Sequence, residues 1–223
     1  MVYQPLFDLP RLVPVGAEAL SRFPQGTPDP ADWFRNAHSV GLGVELELAA
    51  LSNAFPSLDE VIGFLSVNVS SETVCSPKFG RMLAALPMQR IVIELTEHAP
   101  IEDYDTLNEA LGRLRRNGLR VAIDDAGAGY ACMRHILSIV PDFISSIGAW
   151  CVASTATFPG RRWLPGSPPS PSPPMPLVVA EGIETVAELA TLERLGIHYG
   201  QGYHLGRPSS PTSIAESRRV LPA

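Results

Sequence analysis

The chain has 223 residues, of which 45 % are hydrophobic and 18 % are charged, and its net charge is −6. This length and composition suit one globular domain with a sizeable core, including a barrel. An acidic chain without a basic stripe argues against binding to a nucleic acid polymer, although a small anionic ligand can still bind through metal ions.

Cysteine spacing and the absence of long apolar runs suggest where the protein functions. Cys75, Cys132 and Cys151 are far apart and have no metal-binding spacing, which is typical of a reduced, cytoplasmic protein. The first residues lack the basic and apolar regions of a signal peptide. No apolar run reaches the length of about 18 residues that spans a bilayer, so we expect no membrane insertion.

Strands and helices alternate along the chain. Apolar and β-branched runs predict strands at 2–8, 15–23, 62–70, 91–97, 119–125, from 141, 177–184 and 197–203. Helical patterns lie between them at about 29–39, 43–55, 78–86, 103–117, 130–139 and after 184 to about 195. This alternation favours a (β/α) barrel with its site at the C-terminal ends of the strands. A doubly wound sheet is the alternative, weakened by the lack of a G-x-G-x-x-G fingerprint or a P-loop.

The stretch VAIDDAGAGY, residues 121–130, carries the most distinctive chemistry. An apolar strand ends in Asp124 and Asp125, and glycines follow at 127 and 129. Two neighbouring carboxylates repel each other, and a divalent cation relieves the repulsion, so this corner is a candidate metal site. The alternative is a solvated strand–helix turn in which an aspartate caps the helix.

Polar residues also mark the ends of other predicted strands. They are Glu18, Asn68, Glu94, Glu181 and Gln201. With the aspartate pair they form an all-oxygen donor set, which selects Mg²⁺ or Mn²⁺ over Zn²⁺. Adjacent aspartates can bridge two such ions about 3.5–4 Å apart, the arrangement used for attack on phosphate. Each acid taken alone fits a capped turn or a surface charge, but together they predict metal-assisted phosphoester hydrolysis.

These motifs resemble the EAL domain, a bacterial family that hydrolyses cyclic di-GMP to linear pGpG in second-messenger signalling. The matching segments are Glu18-Ala19-Leu20, VNVS at 67–70, IELTE at 93–97, IDDAGAGY at 123–130, VVAEGIET at 178–185 and GQGY at 200–203. The resemblance implies an α/β fold, a modified (β/α)8 TIM-like barrel with an antiparallel first strand. It also implies a single EAL-type domain over 1–207, followed by a C-terminal tail over 208–223 that we expect to fray.

The resemblance assigns roles to individual residues. The metal ligands would be Glu18, Asn68, Glu94, Asp124 and Asp125, with Asp124 bridging two Mg²⁺ or Mn²⁺ ions. Catalysis would involve Glu181, Gln201 and Asp125, and cyclic di-GMP would be bound by Gln4, Leu20 and Arg22. Glu97 would brace the loop after the aspartates. The resemblance leaves a homodimer open.

The family pattern breaks in the sixth strand. Members of the family continue this strand with Ile-Lys-x-Asp, and the lysine is needed for hydrolysis. This chain instead reads PDFISSIGAW, with Ser145 at the lysine position. Because a serine supplies no ammonium charge to the transition state, we expect hydrolysis to be slow or absent.

An irregular Pro- and Ser-rich segment, 145–176, follows this break. It holds eight prolines and no Asp, Glu or Lys, so we expect a disrupted sixth strand–helix unit. One interpretation is a functional segment that binds a partner. Another is a pair of compensating frameshifts, because the gap keeps about the family's length; the other reading frames of the gene would test this. Three functions thus stay open: an active hydrolase, a non-catalytic cyclic di-GMP receptor and a protein-interaction module.

Overall fold

Eight strands close into a barrel in this computed structural model, which describes residues 1–24, 26–96, 101, 103–124, 130–147 and 176–216. The strands are β1 Val2–Asp8, β2 Val13–Leu20, β3 Phe64–Val69, β4 Ile91–Leu95, β5 Arg120–Ile123, β6 Phe143–Ile147, β7 Leu177–Glu181 and β8 Tyr199–Gly200. They pair in sequence order, and β8 pairs back with β1. Neighbours from β2 to β8 are parallel, whereas β1 is antiparallel to both of its neighbours. The predicted barrel with an antiparallel first strand is confirmed.

Helices connect the strands. Among the described residues they are α1 Pro30–Ser39, α2 Gly43–Ala54, α3 Ser71–Cys75, α4 Pro77–Leu83, α5 Tyr104–Arg115, α6 Tyr130–Ile139, α7 Val186–Arg194 and α8 Pro211–Glu216. Short 3-10 turns occupy Phe55–Asp59 and Met88–Arg90. None of the helices in the described ranges combines the length and apolar character needed to cross a bilayer.

Side chains at the helix starts explain why several helices begin where they do. The Asp103 carboxylate accepts hydrogen bonds from the backbone N–H groups of Asp105 and Thr106, both at 3.0 Å, and so caps α5. Thr185 and Glu188 form a reciprocal capping box at the start of α7. Because both signals are local, the sequence predicts these two helices well.

Alternation along the strands gives the barrel two apolar layers. On β3, Leu65, Val67 and Val69 face outward and join the core formed with the surrounding helices. Phe64 instead joins an interior cluster with Leu6, Val92, Ala122, Phe143 and Val179. Because every second residue shares a face, Ser66 and Asn68 follow Phe64 on the interior side. The interior is therefore apolar near the start of β3 and polar toward its end.

An arginine lies against the apolar interior cluster at the start of β5. The Arg120 guanidinium lies 4.7 Å from the Phe64 ring centroid and 5.4 Å from that of Phe143. Phe143 also makes an edge contact with the Tyr199 ring. These rings and the arginine fill the barrel at the end opposite the polar side chains.

The sixth strand is present and continuous. Phe143–Ile147 pairs residue by residue with Leu177–Glu181 of β7, and its first two residues pair with β5. The expected disruption of the sixth strand–helix unit therefore does not extend to the strand. The residues that would hold the helix lie within 148–175, outside the described residues.

Three sequence expectations need correction. The second strand ends at Leu20, so Arg22, predicted on the strand, lies in the loop that follows. The short helix α3 was not predicted, because five residues give too little periodicity to detect. The expected fraying after residue 207 is wrong for residues 208–216: Tyr3 and Ser209 exchange two backbone hydrogen bonds of 2.8 and 2.9 Å, and Ile214 is buried.

Candidate active site

Glu18 of β2 is held by two amide side chains. Asn68 Nδ2 donates to its Oε1 and Gln201 Nε2 donates to its Oε2, each over 2.8 Å. Gln201 follows β8 and lies 183 residues along the chain from Glu18, so the closed barrel is what brings the two together. The carboxylate is buried, with 8 % of the residue exposed. Three residues predicted for the site thus form one hydrogen-bonded group.

Glu94 of β4 is held by a residue that the sequence analysis did not identify. Ser66 Oγ donates to Glu94 Oε1 over 2.6 Å, and both residues are buried. The available signal was a polar residue two positions before Asn68 in the apolar strand FLSVNV. That spacing places both side chains on one face of a strand.

Four acidic side chains lie close enough to influence one another. Burial raises the pKa of Glu94 well above its ordinary value of 4.5, and Glu18, Glu181 and Asp124 raise it further by repulsion. Burial also raises the pKa of Glu18, against the lowering effect of its two amide donors. Concentrated negative charge of this kind is stabilised by a cation.

The donor atoms around these acids are oxygens, the type of ligand that hard divalent cations select. Gln201 Oε1 is buried and accepts no hydrogen bond from any described residue, which leaves it available to a water molecule or an ion. Among the described residues, no three His, Cys, Asp or Glu side chains are grouped closely enough to hold a metal ion. Because both Glu18 oxygens already accept amide hydrogen bonds, a cation would compete with Asn68 and Gln201 for this carboxylate.

A close backbone approach fixes the position of Gln201. Its carbonyl accepts a hydrogen bond from the Ile183 N–H over 3.1 Å. A Cβ atom on the next residue, Gly202, would lie 2.2 Å from the nitrogen and the oxygen of Ile183. Only glycine fits at this position, so the GQGY motif brings the Gln201 side chain into the barrel.

Glu47 is a second residue that sequence reasoning missed. Its Oε2 accepts hydrogen bonds from the backbone N–H of Ser70 at 2.9 Å and from the Ser70 hydroxyl at 3.0 Å. These bonds join α2 to the turn immediately after β3, which carries Asn68. Since Glu47 lies 23 residues before Ser70, no local pattern points to the contact.

A cavity of about 280 Å³ opens beside the site. Its lining includes Leu20, Arg22, Asn68 and Asp124, so two predicted substrate-binding residues share it with two predicted metal ligands. The Arg22 side chain is exposed, and its Nη1 donates to the Ser21 carbonyl over 2.8 Å. The third predicted substrate-binding residue, Gln4, is the register partner of Glu18 across β1 and β2.

Ser145 lies inside the barrel. It follows Phe143 by two residues on β6, pairs in register with Val179 and is 2 % exposed. Strand alternation gives it the same interior face as Phe143. The position that the family resemblance assigns to a lysine therefore holds a buried hydroxyl group.

Four predicted site residues remain, and the structure describes two of them, Glu181 and Asp124. Glu181 is the last residue of β7 and is half-buried, near enough to Glu94 to raise its pKa. Asp124 follows β5 at the cavity. Asp125 and Glu97 lie outside the described residues, so their roles stay predictions.

Comparison with known proteins identifies the family. The EAL domain model matches residues 1–146 and ends one residue after Ser145. The cyclic di-GMP phosphodiesterase PA2567 of Pseudomonas aeruginosa is 29 % identical over 240 aligned positions, which cover 97 % of this chain and 39 % of that protein. The probable cyclic di-GMP phosphodiesterase PdeB of Escherichia coli is 28 % identical over 216 positions, covering 90 % and 41 %. The chain thus spans about two fifths of the length of these curated relatives.

Solved structures support the same assignment. The manganese and cyclic di-GMP complex of BlrP1 from Klebsiella pneumoniae at pH 9.0 is 26 % identical and has a TM-score of 0.73. The match covers 93 % of this chain and 55 % of that one. Because the family model matches 146 of the 223 residues and the barrel brings its strand-end motifs together, the chain belongs to the EAL domain family.

Proposed function

We propose that this chain binds cyclic di-GMP with divalent metal ions and hydrolyses it to linear pGpG slowly or not at all. The single observation that carries the proposal is the hydrogen-bonded group of Glu18, Asn68 and Gln201 inside the barrel. The raised pKa of Glu94 supports it, because its causes are burial first and then the repulsion of nearby acids. The names of the related phosphodiesterases supply the substrate.

The residues proposed to hold two Mg²⁺ or Mn²⁺ ions are those predicted from the motifs. They are Glu18, Asn68, Glu94, Asp124 and Asp125. The bound ions would neutralise the acidic cluster and polarise the phosphate group. The chain's own contribution is to keep Glu18 and Glu94 buried and hydrogen-bonded, and Glu181 and Gln201 would orient a water molecule for attack.

The proposed substrate contacts come from the cavity beside the acids. Arg22 is exposed at the cavity and would contact a phosphate oxygen through its guanidinium group. Leu20 supplies an apolar wall, and Gln4 lies across from Glu18 on the neighbouring strand. A homodimer remains a prediction.

The proposal of weak or absent hydrolysis comes from Ser145. A buried hydroxyl group cannot supply positive charge where negative charge develops during attack on phosphate. This observation favours the second candidate function, a receptor that binds cyclic di-GMP without turnover. The third, a protein-interaction module, depends on segment 145–176, of which 148–175 lie outside the described residues.

Two measurements test the proposal. Calorimetry with cyclic di-GMP and Ca²⁺ measures binding without turnover, and a product assay with Mn²⁺ measures hydrolysis. We expect binding in the first and little pGpG in the second. Arg22→Ala should weaken binding, whereas Arg11→Ala should not, because Arg11 pairs with Asp8 at the far end of β1.

Two outcomes would contradict the proposal. Failure of the unaltered protein to bind cyclic di-GMP with either ion would reject nucleotide binding and leave the interaction module. Turnover at about 1 s⁻¹ or faster would reject impaired catalysis and identify an ordinary hydrolase.

A further inference from the structure

Strand β3 holds the acids of both neighbouring strands through crossed hydrogen bonds. In the strand register, Ser66 lies opposite Glu18 of β2, and Asn68 lies opposite Glu94 of β4. The side-chain bonds run the other way: Asn68 donates to Glu18 over 2.8 Å, and Ser66 donates to Glu94 over 2.6 Å. Each bond therefore joins diagonal rather than directly opposite residues.

The crossed pattern places two donors on one rigid strand. Ser66 and Asn68 are separated by a single residue on β3, so their side chains leave the same face about two strand rises apart. Ser66 is 1 % exposed and Glu94 is 5 % exposed, which leaves little room for water to replace the bond. The relative placement of the two carboxylates is thus set by the geometry of β3.

We infer that Ser66 is a positioning residue that orients Glu94 for the divalent cation of the site. The inference rests on the proposed function and adds a residue to it. Ser66 binds one oxygen of Glu94, Oε1, and so fixes the direction in which the other oxygen points. Without the hydroxyl group, Glu94 is free to turn away from Glu18 and Asp124, which repel it.

Hydrogen-bond partners of metal ligands commonly contribute to metal affinity. Removing such a partner typically lowers the affinity about 10- to 100-fold, because the ligand must then be oriented at the time of binding. Ser66→Ala should have an effect of this size. Ser66→Thr keeps the hydroxyl group and suits a strand, so it should restore the affinity to within about threefold of the unaltered protein.

The experiment measures Mn²⁺ binding to metal-free protein by electron paramagnetic resonance. The matched control is Ser57→Ala, which deletes another hydrogen-bonded hydroxyl group: Ser57 Oγ lies 2.7 Å from the Tyr3 hydroxyl, away from the acids. Melting temperatures in EDTA verify that each variant is folded. Crystal structures of the metal-free Ser66→Ala and Ser66→Thr variants show directly whether the Glu94 carboxylate has turned.

Each outcome supports or overturns a definite statement. The positioning role would be supported if Ser66→Ala binds Mn²⁺ more weakly and has a turned Glu94 carboxylate, while Ser66→Thr and Ser57→Ala show neither change. An affinity within about threefold of the unaltered protein in Ser66→Ala, or an unmoved Glu94, would overturn it. If the unaltered protein binds no Mn²⁺, the proposed metal site fails instead, and the crystal structures still decide whether Ser66 orients Glu94.

Discussion

Ser145 is the single residue with the largest expected effect on the proposed activity. It is buried on the interior face of β6, in a barrel that also holds the cluster of acids. Ser145→Lys should raise the rate of cyclic di-GMP hydrolysis by at least about 100-fold, because an ammonium group would stabilise developing negative charge. The measurement is pGpG formation with Mn²⁺.

The control for this prediction separates charge from size. Ser145→Met introduces a long side chain without a positive charge and should give no gain. The idea fails if the lysine variant is folded and binds cyclic di-GMP but is no faster than the unaltered protein.

Val140 is a residue where the backbone is strained. It follows α6 with φ of 49°, a left-handed conformation that a β-branched residue rarely adopts. The Val140 N–H donates to the Ile136 carbonyl over 3.0 Å, and Arg115 Nη2 donates to the Val140 carbonyl over 2.8 Å. These bonds hold the end of the helix in a form that favours glycine.

Val140→Gly should therefore stabilise the protein by about 0.5–1 kcal/mol, after allowance for the greater freedom of glycine in the unfolded chain. Chemical denaturation measures this difference. Val40→Gly is the matched control, since Val40 is also exposed and follows α1, but with an ordinary φ of −108°. The control should be neutral or destabilising, and equal effects of the two changes would refute the explanation by strain.

At the scale of secondary-structure elements, the seam between the first and last strands needs support from the C-terminal segment. β1 and β8 pair through only two residue pairs, Phe7–Gly200 and Asp8–Tyr199. Nearer the start of β1, Ser209 takes the place of β8 by forming backbone hydrogen bonds with Tyr3. Helix α8 follows directly and buries Ile214 in the main core.

Ile214→Ala should accordingly lower the free energy of unfolding by about 2–5 kcal/mol, since it leaves a cavity in a packed core. Thr212→Ala on the same helix is the control, because Thr212 is exposed and loses only a hydrogen bond to Glu60. Its effect should stay within about 0.5 kcal/mol. Equal melting curves for Ile214→Ala and the unaltered protein would show that α8 adds no stability.

At the scale of the whole molecule, the acidic cluster links folding to pH and to metal ions. In the folded chain the pKa of Glu94 lies above its ordinary value of 4.5, so the folded state binds this proton more tightly than the unfolded state does. The contribution of protonated Glu94 to the free energy of unfolding is fully present below the unfolded-state pKa. It is lost as the pH rises through the folded-state pKa. Glu18 contributes in the same direction.

In EDTA, we expect Glu94→Gln to have a higher melting temperature than the unaltered protein. The difference should grow as the pH is raised beyond about 4.5. With Mn²⁺, the unaltered protein should have the higher melting temperature. The ion stabilises the ionised acids, and Glu94→Gln binds it more weakly. Differential scanning calorimetry across the pH range, with and without Mn²⁺, measures both effects. A difference between the two proteins that is independent of pH would contradict the linkage.

The fold class and most site residues were predictable because their signals are local. Strand–helix alternation and the motifs around Glu18, Asn68 and Gln201 indicate a barrel with polar strand ends. Ser66 and Glu47 could not be identified in the same way, because a serine in a strand or a glutamate in a helix has many ordinary uses. Their importance depends on which distant residue each one meets.

Residue order and the polar strand ends were enough to predict a barrel, and the resemblance of the motifs to the EAL domain implied an antiparallel first strand and a lysine position held by Ser145. Tertiary structure decided that Gln201 reaches Glu18 across 183 residues and that Ser66, rather than Asn68, binds Glu94. It also decided the raised pKa of Glu94, since burial and the distance between charges exist only once the barrel has closed.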